Sequence, residues 1–167
     1  GERGILQTLD LLEEYKFANT GAFRNKEEQR FIIVDVNGIK IALMSYSEKF
    51  NGKDITLDED VRETMINRYT KEAVEKDVKD AKAMGAEYII AYNHWGVEYT
   101  NDYNENQAKS AQDMADAGVD FIIGSHPHAL QTSEVIKTKD NREVPVVYSL
   151  GNFVSHQYKP VTKDNFI

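Results

Sequence analysis

A chain of 167 residues and 19.0 kDa has the length of one domain with an ordinary core, and two large domains are excluded. Its 20 basic and 28 acidic residues leave a net charge of −8 and a pI near 5.0, which excludes non-specific capture by nucleic acid or anionic lipid and leaves a cationic or metal-dependent partner open. The apolar content of 41% and charged content of 29% are those of a globular chain, and the absence of cysteine removes disulfides, thiolate metal ligands and Cys nucleophiles. No apolar run approaches the roughly 20 residues needed to span a bilayer as a helix.

In chain order, Ile5, Leu6, Leu9, Leu12 and Tyr15 recur at three and four, so Ile5 to Tyr15 is predicted to be an amphipathic helix. The runs Phe31 to Val36 and Ile39 to Tyr46 flank Asn37-Gly38, the pair that favours a type I′ turn, and predict a hairpin. Ser47 to Tyr69 is polar and reads as a long loop, with a helical turn near Leu57 to Met65 and an extended piece at Ile66 to Tyr69. Thr70 is placed to cap a helix with Ala73, Val74, Val78 and Ala81 facing inward and Gly85 as its left-handed terminator. A buried strand from Tyr88 to Asn93 follows. The grammar then repeats, with a helix from Asn104 to Ala117 (Ala108, Ala111 and Ala115 inward), Gly118 ending it, and a strand at Phe121 to Ile123. This helix and strand alternation predicts parallel pairing, and Glu134 to Thr138 with Val144 to Ser149 predicts a final antiparallel hairpin around Asp140-Asn141.

Both predicted parallel strands run into histidine-bearing loops, Asn93-His94-Trp95-Gly96 and Gly124-Ser125-His126-Pro127-His128. Ligands of open α/β sheets bind at the carboxyl ends of strands, so two separate loops are expected to converge on one site. In an extended segment residues two apart share a side, so His126 and His128 are expected to face one ligand or two neighbouring metal ions. Imidazole suits zinc, manganese and iron alike. Three of the 4 histidines fall at this crevice, which favours a metal or phosphate site there; His156 reads as an ordinary hydrogen-bonding or exposed residue. Trp95 and Tyr99 are read as packing, Glu98 as a functional or merely solvated carboxylate, and Asn152 as a donor to a substrate oxyanion or the closure of a turn.

The strings NHWGVEYT from Asn93, GVDFIIGSHPHALQ from Gly118 and YSLGNFVSHQ from Tyr148 resemble the closing motifs of the CapA/PgsA family, the poly-γ-glutamate capsule synthesis proteins. NGIKIALMSYS from Asn37 and TLDLLEEYKFANTG from Thr8 are similar to the same family, so the resemblance covers nearly the whole chain. It implies an α/β fold, the C-terminal portion of a layered, calcineurin-like metallophosphoesterase domain with a mixed sheet and β-hairpins. The same resemblance implies divalent metal ions (zinc, manganese or iron), with His94 and His126 on one metal and His128 on the other; Glu98 and Asn152, singled out above from the residues, are the candidate catalytic residues. Two metals about 3.5–4 Å apart would polarise a phosphoryl-like or carbonyl oxygen and activate a water.

The resemblance places the family's Gly-Asp motif and an upstream Asn-His pair ahead of Gly1, so residues 1–167 are expected to form the C-terminal part of one domain whose N-terminal half supplies the bridging carboxylate. The implied setting is extracytoplasmic and membrane-associated through an N-terminal anchor. The expected partners are membrane capsule synthase or export subunits, anionic polyglutamate, the N-terminal half, and in one arrangement a second copy. The competing expectation is a non-catalytic binding and assembly module of the capsule synthesis and export complex; the third is an α/β domain whose histidines are only hydrogen-bonded.

Overall fold

A computed structural model describes residues 1–152, so His156 and the end of the YSLGNFVSHQ string lie outside the described residues. The elements are α1 (Glu2–Glu14), β1 (Phe31–Val36), β2 (Ile39–Ser47), a 3-10 turn (Asp54–Thr56), α2 (Glu59–Thr64), α3 (Lys71–Ala83), β3 (Tyr88–His94), α4 (Glu105–Ala117), β4 (Phe121–Ser125), β5 (Ser133–Lys137) and β6 (Glu143–Val147). The strands form one mixed sheet in the order β1-β2-β3-β4-β6-β5, with β2, β3, β4 and β6 parallel and a hairpin strand added antiparallel at each edge.

Local chemistry accounts for most of these boundaries. Asn37 and Gly38 both take positive φ, as a type I′ turn requires, and β1 pairs with β2 across them. Thr70 Oγ1 accepts a 3.1 Å hydrogen bond from Ala73 N–H at the start of α3, and Asn104 and Gln107 form a reciprocal capping box at the start of α4. Gly118 ends α4 at φ 114°, a left-handed conformation that a side chain would strain. The expected extended piece at Ile66 to Tyr69 is reduced to isolated bridges, Ala22 to Ile66 and Ser47 to Arg68.

The helix faces differ from the alanine-based expectation. Ala73 and Ala108 are only half-buried, whereas Asp77 and Gln107 are buried. Each polar side chain is tolerated inside because it has a partner: Asp77 Oδ2 accepts from the Tyr46 hydroxyl at 2.9 Å, and Gln107 carries the α4 cap and a side-chain amide bond. Burial raises the Asp77 carboxyl above its ordinary value and raises the Tyr46 hydroxyl as well.

The two faces of the sheet differ sharply. Ala42, Met44, Tyr46, Ile89, Ala91, Ile122, Val144 and Val146 point to one side and are all buried, in a core shared with Val74, Val78 and Ala81 of α3 and Ala111, Met114 and Ala115 of α4. The alternating residues on the other side include the apolar Val34, Leu43, Ile90 and Ile123, yet none of these is buried. His94 belongs to this second side, in register with Ser47 and Ser125 at the carboxyl end of the sheet.

Candidate functional site

The carboxyl ends of β2, β3 and β4 are locked together by backbone hydrogen bonds, Glu48 N–H to His94 O at 2.9 Å and Trp95 N–H to Ser125 O at 3.1 Å. The two histidine loops are then fastened further along. Tyr99 N–H donates to Pro127 O at 2.7 Å, and Asn101 Nδ2 donates to Leu130 O at 3.0 Å. A buried amide chain sits beneath them: Gln107 Nε2 donates to Gln131 Oε1 at 2.9 Å, and Gln131 Nε2 donates to Thr100 O and Asp102 O. Gly96 allows the first loop to lie on this chain, because a Cβ there would meet the Gln107 amide at 2.7 Å. Trp95 is fully buried, stacks on Tyr148 and donates from Nε1 to Tyr148 O at 2.8 Å; the packing role read for it from sequence is what it has.

The fastening brings the three predicted histidines together. The His94 and His126 rings lie 4.4 Å apart between centroids, and the His126 and His128 rings 6.3 Å apart. The route differs from the expected one. The segment from His126 to Ala129 is bent rather than extended, and both His126 (φ 98°) and His128 (φ 59°) take left-handed backbone angles. The convergence therefore comes from a strained turn around buried Pro127 and not from strand alternation. Non-glycine residues in this region cost about 1–3 kcal/mol each and cluster where a loop has a task.

The electrostatics favour neutral imidazoles. His94 is lowered below the ordinary value of 6.5 by burial first and then by His126 and His128, against a small opposing pull from Glu98. His126 is lowered by burial, with Glu98 raising it and His128 and Lys49 lowering it. A histidine whose folded pKa is depressed contributes its stability in full above the unfolded value and loses it as the pH falls through that value toward the folded one. The metal-free protein is therefore expected to lose stability on acidification from about pH 7 to pH 5. His94→Gln should flatten that slope in urea titrations at several pH values; an unchanged slope would show that other groups carry it.

His128 is oriented from behind. Its Nδ1 donates to Asn152 Oδ1 at 2.9 Å, which puts the acceptor lone pair on Nε2, and Tyr99 stacks on its ring at 5.7 Å. Asn152 is thus a partner of a histidine through its Oδ1. Glu98 is half-buried and close enough to couple electrostatically to His94 and His126.

Neutral imidazole is the form that binds metal, and a histidine held through its other nitrogen by a side-chain oxygen is the usual outer arrangement of a ligand. In chemistry the three histidines therefore fit one side of a metal site. Among the described residues, however, no group of three or more histidines, aspartates or glutamates is arranged to hold an ion. A cleft of about 1200 Å³ is lined by charges of both signs around Arg30 and Asp77 and includes none of the histidines. The three histidines lie instead, half-buried, at the carboxyl end of the sheet.

Sequence reasoning missed Glu48. It follows β2 directly, its Oε1 is buried without a hydrogen-bond partner, and burial raises its carboxyl above the ordinary range while Ser110 pulls it back. With Arg68, Tyr69 and Lys109 it lines a cleft of about 270 Å³. Its position one residue past a strand that points at the site was a signal available in the sequence.

Residues 1–157 match the family model described as bacterial capsule synthesis protein PGA_cap. The chain belongs to this capsule synthesis family. Among curated relatives, the capsule biosynthesis protein CapA of Bacillus anthracis is 32% identical over 166 residues, covering 99% of this chain and 39% of that protein. The PGA biosynthesis protein CapA of Bacillus subtilis (strain 168) is 45% identical over 80 residues, covering 48% of this chain and 20% of that protein. The chain thus spans well under half the length of the curated relatives it matches. A family member of this kind shares its fold with solved nucleotidases. A 5′-nucleotidase precursor from Thermus thermophilus superposes at a TM-score of 0.53 with 20% identity, covering 83% of this chain and 29% of that one. The NAD nucleotidase of Haemophilus influenzae gives 0.54 with 18% identity, covering 86% and 31%. The fold class expected from sequence, a layered metallophosphoesterase-like α/β structure with a mixed sheet, is the one observed.

Proposed function

We propose that this chain contributes the imidazole side of a divalent-metal hydrolytic centre to a capsule biosynthesis protein, and that residues outside it, in the N-terminal half of the same domain, complete the site. The observation that carries the reading is the convergence of His94, His126 and His128 at the carboxyl end of the parallel strands, with two of the rings 4.4 Å apart and held neutral. His94 and His126 would hold one ion and His128 a second, with zinc, manganese and iron as the candidates. Such ions supply Lewis acidity toward a phosphoryl-like or carbonyl oxygen and a water acidic enough to attack near neutral pH. The chain's own residues would hold the imidazoles neutral through burial, aim His128 through Asn152, and place Glu98 as a carboxylate within reach of a proton on substrate or water. The reaction class is metal-assisted hydrolysis or transfer. The setting is extracytoplasmic and membrane-associated through an N-terminal anchor, with capsule synthase or export subunits and anionic polyglutamate as partners.

A second reading is a non-catalytic assembly module, in which the same clustered histidines serve as polar site residues. The two readings separate in one experiment. In the full-length protein His126→Ala should abolish metal-dependent hydrolysis of an aryl phosphate ester and reduce capsule output together. Capsule output that survives His126→Ala, with no hydrolysis by the unsubstituted protein under any metal, would establish the assembly module instead.

A further inference from the structure

Asp77 lies within α3, where an acid facing inward is unusual unless its charge is matched. It is 3% exposed, and its Oδ2 accepts from the Tyr46 hydroxyl at 2.9 Å, but among the described residues nothing donates to its Oδ1. Arg30 stands close enough for each of the two groups to favour the other's charged form. They nevertheless form no ion pair. The guanidinium is held aside: its Nη1 donates to Thr64 O at 2.9 Å, and its central carbon lies 4.1 Å from the centroid of the Phe23 ring. Both residues line the cleft of about 1200 Å³, so a buried carboxylate and a half-buried guanidinium border the same space without satisfying each other.

We propose that this cleft binds a free basic amino acid, with its α-ammonium on Asp77 Oδ1 and its carboxylate on the Arg30 guanidinium. The two protein charges are neighbours, and a free amino acid carries an ammonium and a carboxylate on a single carbon. A peptide divides them between its two ends, and a polyanion offers nothing to Asp77. The ligand carboxylate would take the donors that Arg30 does not spend on Thr64, in the forked geometry a guanidinium favours. The rim sets the preference for the side chain. Asp54 pairs with Arg68, and Asp80 with Lys76 at 2.7 Å, which leaves carboxylates such as Glu59 and Glu63 outnumbering the unpaired rim cations Lys26 and Arg62 among the described residues. A cationic side chain therefore suits the rim better than an anionic one. Small-molecule pockets are typically about 300–1,000 Å³, so this cleft also has room for a long side chain. No histidine lines it, and the site stands or falls separately from the metal centre.

Isothermal titration calorimetry of the full-length protein with lysine should show saturable binding. Cadaverine, which is lysine without the carboxylate, and glutarate, which lacks the ammonium, should each bind at least about tenfold more weakly, the effect of losing one charged hydrogen-bond partner. Asp77→Asn keeps an acceptor for the Tyr46 hydroxyl and should weaken lysine binding by a similar factor, as should Arg30→Gln. Glutamate should bind more weakly than lysine. The assignment is overturned if lysine shows no saturable binding, if cadaverine, glutarate or glutamate matches it, or if a folded Asp77→Asn or Arg30→Gln protein binds lysine unchanged. Circular dichroism establishes the fold of each variant, and should both variants lose it, the ligand series on the unsubstituted protein decides alone.

Discussion

Gly124→Ala is expected to destabilise the full-length protein by about 3 kcal/mol or more, enough to unfold a marginal domain. Gly124 lies in β4 on the helix-bearing face, and a Cβ there would run into Tyr148 O and Trp95 Nε1. Those two atoms form the hydrogen bond that seats the fully buried indole, so the methyl cannot be accommodated without breaking it. Neither partner is a flexible tip: one is backbone, and the other belongs to a ring stacked on Tyr148, which in turn stacks on Tyr103 at 3.8 Å. The loss therefore combines overpacking with an unmade buried hydrogen bond. Urea denaturation checks it, and a shift of less than about 1 kcal/mol would mean that the strand moves more easily than this packing implies.

Gln107→Ala should cost about 3 kcal/mol by a different route. The residue is fully buried, closes the capping box of α4 and donates to Gln131, which holds Thr100 and Asp102 of the loop after β3. Truncation strands the Gln131 oxygen, removes the α4 cap partner and opens a cavity beneath Gly96, all at once. Both histidine loops should then exchange amide hydrogens faster, while Lys109→Ala on the exposed side of the same helix should change stability by no more than about 0.5 kcal/mol. Equal exchange in the two variants would show that the amide chain does not hold the loops.

Glycines and caps of this kind also separate what is legible in the residues from what is not. Asn37-Gly38, Thr70, Gly85 and Gly118 each impose a turn or a cap by local sterics, so the hairpin and the repeated helix-strand units are visible in the sequence and present in the fold. Periodicity misplaces the inward faces of α3 and α4 at Ala73 and Ala108, because it scores Asp77 and Gln107 as polar while only tertiary partners make them core residues. The three site histidines are legible from their place at predicted strand ends. The left-handed turn that aims His126 and His128 is not, since a histidine carries no sequence mark of positive φ. Asn152 stands out in the sequence but its role does not, because its contact with His128 spans 24 residues. Glu48 escapes for the same reason: its side chain meets Ser110 of α4, far along the chain.

The measurement that bears most directly on the proposed centre is metal content by inductively coupled plasma mass spectrometry. It compares the full-length protein with a variant carrying His94→Ala, His126→Ala and His128→Ala, and uses His156→Ala as the control. Circular dichroism first confirms that all three proteins are folded. The expected result is stoichiometric zinc, manganese or iron in the unsubstituted protein and in the control, and its loss from the triple variant. A folded triple variant that keeps its metal, or an unsubstituted protein that binds none when supplied with each ion, would contradict a metal centre at these histidines.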